Sequence, residues 1–342
     1  MADHPPFFPS PFPPSQNSVS LVSTETFRQA MSDLLRQPRF ARMGVAAVDL
    51  TKAAKMPDGS LVGYSTFGAL NPDKTMNAAS VSKVAAMTAA FRLRDSFPLA
   101  AKGIVAPVDD LILAVTSEWK PIVEAAGGSQ PKDFPRLREI LSITGNAGTG
   151  KWTVRFQDTF WHHMEDMIVW SDNKSASYCI QALGYSFIAG TMKTEGLYEE
   201  GRGGLWLSTD YGKGKEGRRE PKSGIHHAAS AAALARLLVL IDRDALITPS
   251  SSKTMRYLMQ NSWMNEEFKT SDGKRRSDRK PSRYTVDHFG KLGVYAGYQD
   301  AAVFSRTDGS KTVRYALAML GGSHQNLVAL GRRIDDLIFE MH

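Results

Sequence analysis

The stretch Ser80-Val81-Ser82-Lys83-Val84-Ala85-Ala86-Met87 decides how this chain is read. It opens an alanine-rich apolar run that continues to Arg94, so a long buried helix is predicted over 80–94. On a helix, positions i and i+3 share one face a turn apart, which brings the Lys83 amine within reach of the Ser80 hydroxyl. The helix start adds unpartnered N–H groups and the positive end of the dipole, and both favour an alkoxide or oxyanion. A serine is a weak nucleophile until a base takes its proton, and a lysine whose pKa is lowered by burial can be that base. Ser-x-x-Lys alone is poor evidence. It also starts at Ser117, Ser129, Ser171, Ser250, Ser271 and Ser277, and only the copy at Ser80 heads a long apolar helix. Taken by itself the motif equally fits a capping serine beside a surface lysine.

Upstream, residues 24–37 read as a helix with Phe27, Met31, Leu34 and Leu35 on one face. Arg42 to Leu50 reads as a buried strand. Asp58-Gly59 makes a turn into a second strand, Leu61 to Phe67. Downstream, residues 95–225 read as helical stretches joined by glycines, with little strand signal. Residues 228–241 are strongly helical, and Pro249 opens another helix. Three strand-like runs follow, Thr285 to Tyr295, Asp300 to Ser305 and Val313 to Leu320, and a closing helix carries Leu327, Leu330, Ile334 and Leu337. Two strands alone make no stable sheet, so the first hairpin must join the last three strands. The predicted organisation is a proline-rich extended tail (1–22), a discontinuous α/β lobe (23–75 and 226–342) and a mainly helical lobe (76–225). A cleft between lobes is the default place for a site.

Composition narrows the function classes. Hydrophobic residues make up 42% and charged residues 23%, as in an ordinary globular protein. One cysteine, Cys179, allows neither an intrachain disulfide nor a cysteine-rich metal site. The net charge of +7 is concentrated in 269–283, where seven basic residues face Asp272 and Asp278. A nucleic-acid binder spreads basicity over a face, so this run reads as a solvated loop or a rim attracting anionic substrate. The longest apolar run, Ala228 to Ile241, is too short to span a membrane. No basic n-region followed by an apolar stretch appears at the N-terminus, which favours a cytoplasmic over a periplasmic or secreted location.

Two further motifs carry chemistry. Ser171-Asp172-Asn173 occurs once, between the apolar run Met167 to Trp170 and a helix-like run, Lys174 to Leu183. Alone, it fits an N-cap cluster as well. Lys291-Leu292-Gly293 lies in the strand-like run Phe289 to Tyr295, where the lysine is either an exposed strand residue or a group holding a substrate carboxylate.

The order of the three motifs is more telling than any one of them. Ser-x-x-Lys, then Ser-Asp-Asn, then Lys-x-Gly on a late strand resembles the signature of class A β-lactamases and penicillin-binding proteins, across about residues 25–342. The resemblance implies an α+β fold, with a five-stranded antiparallel sheet flanked by helices plus an all-helical lobe. It implies a serine hydrolase in which an amide or β-lactam carbonyl is attacked to give an acyl-enzyme.

 The implied reaction is acyl transfer to serine. A D,D-peptidase, amidase or esterase on the same scaffold, or a non-catalytic binding protein that keeps the cleft, are the alternatives.

The resemblance also implies roles, residue by residue. Ser80 is the acylated nucleophile and Lys83 its base or part of the proton path. Ser171 passes a proton toward the leaving nitrogen, and Asn173 binds Lys83 and the substrate amide. Lys291 and Gly293 line the substrate site, and the backbone N–H groups of Ser80 and Val294 form the oxyanion hole. Neither metal nor organic cofactor is needed. The expected partner is a small-molecule or peptide-like amide, met by a monomer, with no nucleic acid. Two departures stand out. Leu292 takes the place of a Thr or Ser whose hydroxyl helps bind the β-lactam carboxylate. No Glu-x-x-Leu-Asn supplies a deacylating glutamate, so Glu199 and Glu200 are the candidates, beside Glu195, each of which also reads as an exposed loop acid. Two other patterns carry less. Gly145 to Lys151 imitates a phosphate loop, but Trp152 stands where that loop needs Ser or Thr. The pairs His162-His163 and His226-His227 have no carboxylate or cysteine to complete a metal site and read as surface or packing residues.

Overall fold

Val45, Ala46, Ala47 and Val48 are all fully buried, which a strand achieves only when both of its faces are covered. The computed structural model describes residues 20–21, 25–51, 63–64, 67–101, 107–146, 149, 151–212, 216–260 and 284–342. The turn at Asp58-Gly59, the basic run 269–283 and nearly all of the proline-rich tail lie outside them. In chain order the main elements are α1 (Glu25–Leu35), β1 (Gly44–Asp49), β2 (Phe67–Leu70), α2 (Lys83–Ala100), α3 (Val108–Glu118), β3 (Leu141–Asn146), β4 (Lys151–Phe156), α4 (Asp158–Val169), α5 (Asn173–Leu183), α6 (Tyr185–Thr194), α7 (Ala231–Asp242), α8 (Pro249–Gln260), β5 (Tyr284–Val294), β6 (Tyr298–Asp308), β7 (Lys311–Gly322) and α9 (His324–Glu340).

These elements fall into two compact units. The sheet unit holds described residues of Asn17–Val81, Arg202–Gly204 and Ala228–His342. Its five strands run in the order β5-β6-β7-β1-β2, every pair antiparallel. Alternation along the strands sends Val45, Ala47, Phe304, Leu317 and Met319 to one face. There they pack against Met31 and Leu35 of α1 and Leu327, Leu330, Ile334 and Ile338 of α9. The intervening residues, Ala46, Val48, Ala316 and Ala318, point the other way, toward α7. Small alanines on that face leave room for the leucine-rich helix, and each buried leucine contributes about 1.5–3 kcal/mol.

The helical unit holds Ser82–Gly201 and Leu205–His227. Its axis is α2, whose residues Lys83 to Leu93 are buried without exception. Trp119 packs between Phe97 and Phe187, and Phe91 meets Phe156 edge-on at 5.3 Å. A Cβ on Gly190 of α6 would come within 2.0 Å of the Ile122 carbonyl oxygen, so only glycine permits that approach.

The helical unit departs from expectation most at residues 141–156, beside short strands at Tyr198–Glu199 and Trp206–Leu207. β3 and β4 form an antiparallel hairpin inside the segment read as helical, so this unit is not helical throughout. Exposed Lys151, Thr153 and Arg155 alternate with the more buried Trp152, Val154 and Phe156, a period of two. The same hairpin accounts for the residues that imitate a phosphate loop, because Asn146 pairs with Lys151 and a strand follows where a nucleotide site needs a helix.

Candidate active site

Lys83 is the first residue of α2 and is 0% exposed, which excludes the surface-lysine reading of the Ser-x-x-Lys motif. A buried ammonium needs acceptors, and the α4–α5 junction supplies three. Lys83 Nζ donates to the Ser171 carbonyl oxygen at 2.7 Å, to Asn173 Oδ1 at 2.8 Å and to Ser171 Oγ at 3.2 Å. Ser171 can turn both of its oxygens inward because its backbone is left-handed, with φ 60°. Such a conformation costs a non-glycine residue on the order of 1–3 kcal/mol. Asp172 fixes the junction by accepting the Ser175 N–H at 2.6 Å as the cap of α5, and that bond holds its carboxyl below the usual range.

Burial lowers the Lys83 pKa to about 7, against the opposing pull of Asp172. Near neutrality the amine is therefore often uncharged, with a lone pair to offer. Of its three partner atoms the carbonyl and the amide oxygen only accept, so the Ser171 hydroxyl alone can turn its hydrogen toward a neutral Nζ. The arrangement can receive a proton at Lys83 and pass one through Ser171.

One side of this group escaped the sequence reading. Lys83 Nζ lies 4.4 Å from the centre of the Tyr211 ring, whose hydroxyl is 2.9 Å from Ser82 Oγ. Tyr211 stacks in turn on His227 at 4.3 Å. No motif marks Tyr211, and the histidine pair gave no sign of it. His227 Nε2 faces the Thr209 carbonyl at 3.3 Å, while His226 Nδ1 sits 3.0 Å from Ser208 Oγ. Both histidines are engaged in packing and hydrogen bonding.

In the sheet unit, Ser80 is half-buried on a 3-10 turn, Ala79–Ser82, that precedes α2. The α-helix itself starts three residues later than the sequence suggests. The reason lies in the backbone: Ala79 is left-handed, with φ 46°, its N–H is held by Asn77 Oδ1 at 2.8 Å, and Val81 N–H bonds Ala78 O at 2.9 Å. Gly293 lets β5 come close to this turn. A Cβ there would lie 2.7 Å from Ser80 N and 2.8 Å from Ala78 O. Lys291, two residues back on the same face, is 0% exposed, with Nζ 3.4 Å from the Leu292 carbonyl oxygen, so it is no exposed strand lysine. Leu292 points to the opposite face and is 1% exposed. Val294 ends β5 with its side chain exposed.

None of the three candidate glutamates is a hydrogen-bond partner of Lys83. Glu199 and Glu200 are exposed, and Glu200 is 3.9 Å from Lys193. Glu195, contrary to the loop-acid reading, is buried and paired with Arg92 of α2 at 3.2 Å. Among the described residues, Asp172 is the carboxylate whose charge acts on Lys83.

The Beta-lactamase enzyme family matches residues 137–320, more than half of the 342-residue chain. The protein belongs to that family, and is a serine hydrolase of the β-lactamase type. The matched stretch includes Ser171, Asn173, Lys291, Gly293 and Val294, and begins downstream of Ser80 and Lys83. Among solved structures, PBP-A is similar at 16% identity and a TM-score of 0.50, covering 95% of this chain and 97% of its own. A mutant of PBP-A in an acyl-enzyme complex with penicillin G gives 16% identity and a TM-score of 0.50 over 96% and 98% of the two chains. The class A β-lactamase from Mycobacterium abscessus gives 11% identity and a TM-score of 0.48 over 91% and 98%. The PBP-A likeness supports the fold alone. No curated protein matches the chain in sequence. Among the described residues no helix is long and apolar enough to cross a membrane.

Proposed function

We propose that the chain forms an acyl-enzyme at Ser80 with an amide or β-lactam carbonyl and releases the acyl group slowly. One observation carries this reading: a fully buried Lys83, with its pKa lowered to about 7, hydrogen-bonded to Ser171 and Asn173. Ser80 lies three residues before Lys83 in sequence. Ser80 Oγ attacks the carbonyl carbon as its proton moves to Lys83. The oxyanion is met by the backbone N–H groups of Ser80 and Val294, donors worth about 3–4 kcal/mol each. Collapse breaks the C–N bond, and Ser171 delivers a proton to the leaving nitrogen. Water then cleaves the ester. Asn173, Lys291 and Gly293 position the substrate.

Slow release is proposed because, among the described residues, no glutamate bonds to Lys83, and Glu199 and Glu200 face solvent. Leu292 offers no hydroxyl to a lactam carboxylate, which favours a D,D-peptidase, amidase or esterase as the second reading. The protein would act as a monomer on a small-molecule or peptide-like amide, without nucleic acid.

Intact-mass analysis over time with penicillin G tests the reading on wild type, Ser80→Ala and Lys83→Ala. A long-lived adduct on wild type alone is expected. An adduct of equal yield on Ser80→Ala would refute Ser80 as nucleophile, and none on any chain would favour a binding protein without turnover.

A further inference from the structure

Tyr211 is held at its hydroxyl, its backbone and its ring face. Its hydroxyl is 2.9 Å from Ser82 Oγ, its backbone N–H donates to Ser177 Oγ at 3.0 Å, and its ring stacks on His227 at 4.3 Å with 27° between planes. Ser82 is the residue before Lys83, and Ser177 is one turn beyond Asn173 on α5, bonded to its carbonyl at 2.9 Å. The tyrosine therefore joins the two segments that supply the lysine and its acceptors. We propose that Tyr211 is the positioning residue of Lys83, its ring face holding Nζ against Ser171 and Asn173. This rests on the reading of Lys83 as the base of acylation.

A ring face carries negative charge density and attracts an ammonium. Tyr211 thus favours the charged amine and opposes the burial that drives the proton off. The other titratable groups coupled to Lys83 are Asp172, which also favours the charge, and His227, whose own pKa is lowered chiefly by burial and partly by Lys83. A carboxylate in place of the ring would hold the proton far more tightly. An aromatic face moderates the amine without fixing it in the charged state.

The test follows Lys83 by NMR titration of ¹³C- and ¹⁵N-labelled lysine, the signal assigned by its loss in Lys83→Arg, beside the pH profile of penicillin G acylation. Tyr211→Leu removes the ring while keeping the space apolar, and is expected to lower the Lys83 midpoint by roughly 0.4–1.5 pH units. The acid limb of the acylation profile should move with it. Tyr211→Phe keeps the ring and should restore the wild-type midpoint. Tyr211→Met gives a second ring-free chain if leucine disturbs folding. An unchanged midpoint in both ring-free chains overturns the proposal, as does a shift in Tyr211→Phe as large as theirs. The NMR midpoint is read without turnover, so a chain that never acylates refutes the proposed function while leaving the Tyr211 outcome decided.

Discussion

Replacing Lys83 by methionine should change how stability depends on pH, and the size follows from its burial. In the unfolded chain the amine titrates at 10.5, and in the folded chain at about 7. Between these values the unfolded state binds more protons, so the wild type gains stability as pH rises, by up to about 1.4 kcal/mol per unit. Integrated from about pH 6 to about pH 9, the gain is roughly 3 kcal/mol. Methionine cannot titrate, so Lys83→Met lacks this rise. The variant leaves the Ser171 and Asn173 acceptors without their donor, a cost of about 1–3 kcal/mol each that offsets the relief of burying no charge. That cost shifts the variant's whole curve without tilting it. Urea unfolding of both chains at several pH values, with equal m-values, isolates the tilt. A difference between wild type and variant that stays flat from about pH 6 to about pH 9 would show that Lys83 keeps an ordinary pKa, and the proposed base would lose its physical foundation.

Asn173→Ala removes the 2.8 Å acceptor of Lys83, and a hydrogen bond to a charged group is worth about 1.5–3 kcal/mol; acylation should slow by roughly 10- to 150-fold in a stopped assay with penicillin G. Gly293→Ala drives a Cβ into the backbone of Ser80 and Ala78, so acylation should fall sharply while thermal unfolding reports a loss of about 1–3 kcal/mol. Glu195→Gln breaks the buried pair with Arg92 and should cost about 3–5 kcal/mol by urea unfolding, with the lifetime of the acyl adduct unchanged; a longer lifetime would make Glu195 part of deacylation.

Much of this was legible before any coordinates because the informative signals are local. The i, i+3 spacing of Ser80 and Lys83, the apolar run behind them and the strand around Lys291 depend on neighbours in sequence, and four of the five strands of the sheet follow from the same periodicities; the other, expected over Leu61 to Phe67, instead runs Phe67–Leu70. What local pattern cannot carry is a partner brought from far away. Tyr211 reaches Lys83 across 128 positions only through tertiary packing, with no motif to announce it, and Glu195 finds Arg92 in the same way. The hairpin at 141–156 was hidden for another reason: its strands are six residues each, too short for their alternation to stand out between helices. The 3-10 turn under Ser80 depends on the left-handed backbone of Ala79, a conformation that an alanine does not advertise.

The route of the chain through the sheet has a consequence for biosynthesis. The bond from Arg314 N–H to Thr51 Oγ joins residues 263 apart, and β1 finds its partner β7 only near the end of translation. Closing so long a loop is slow, so β1, with only β2 to pair with, waits with its other edge open while the ribosome completes the remainder. A nascent chain halted before residue 284 would lack three of the five strands and expose that edge to chaperones or to other copies of itself.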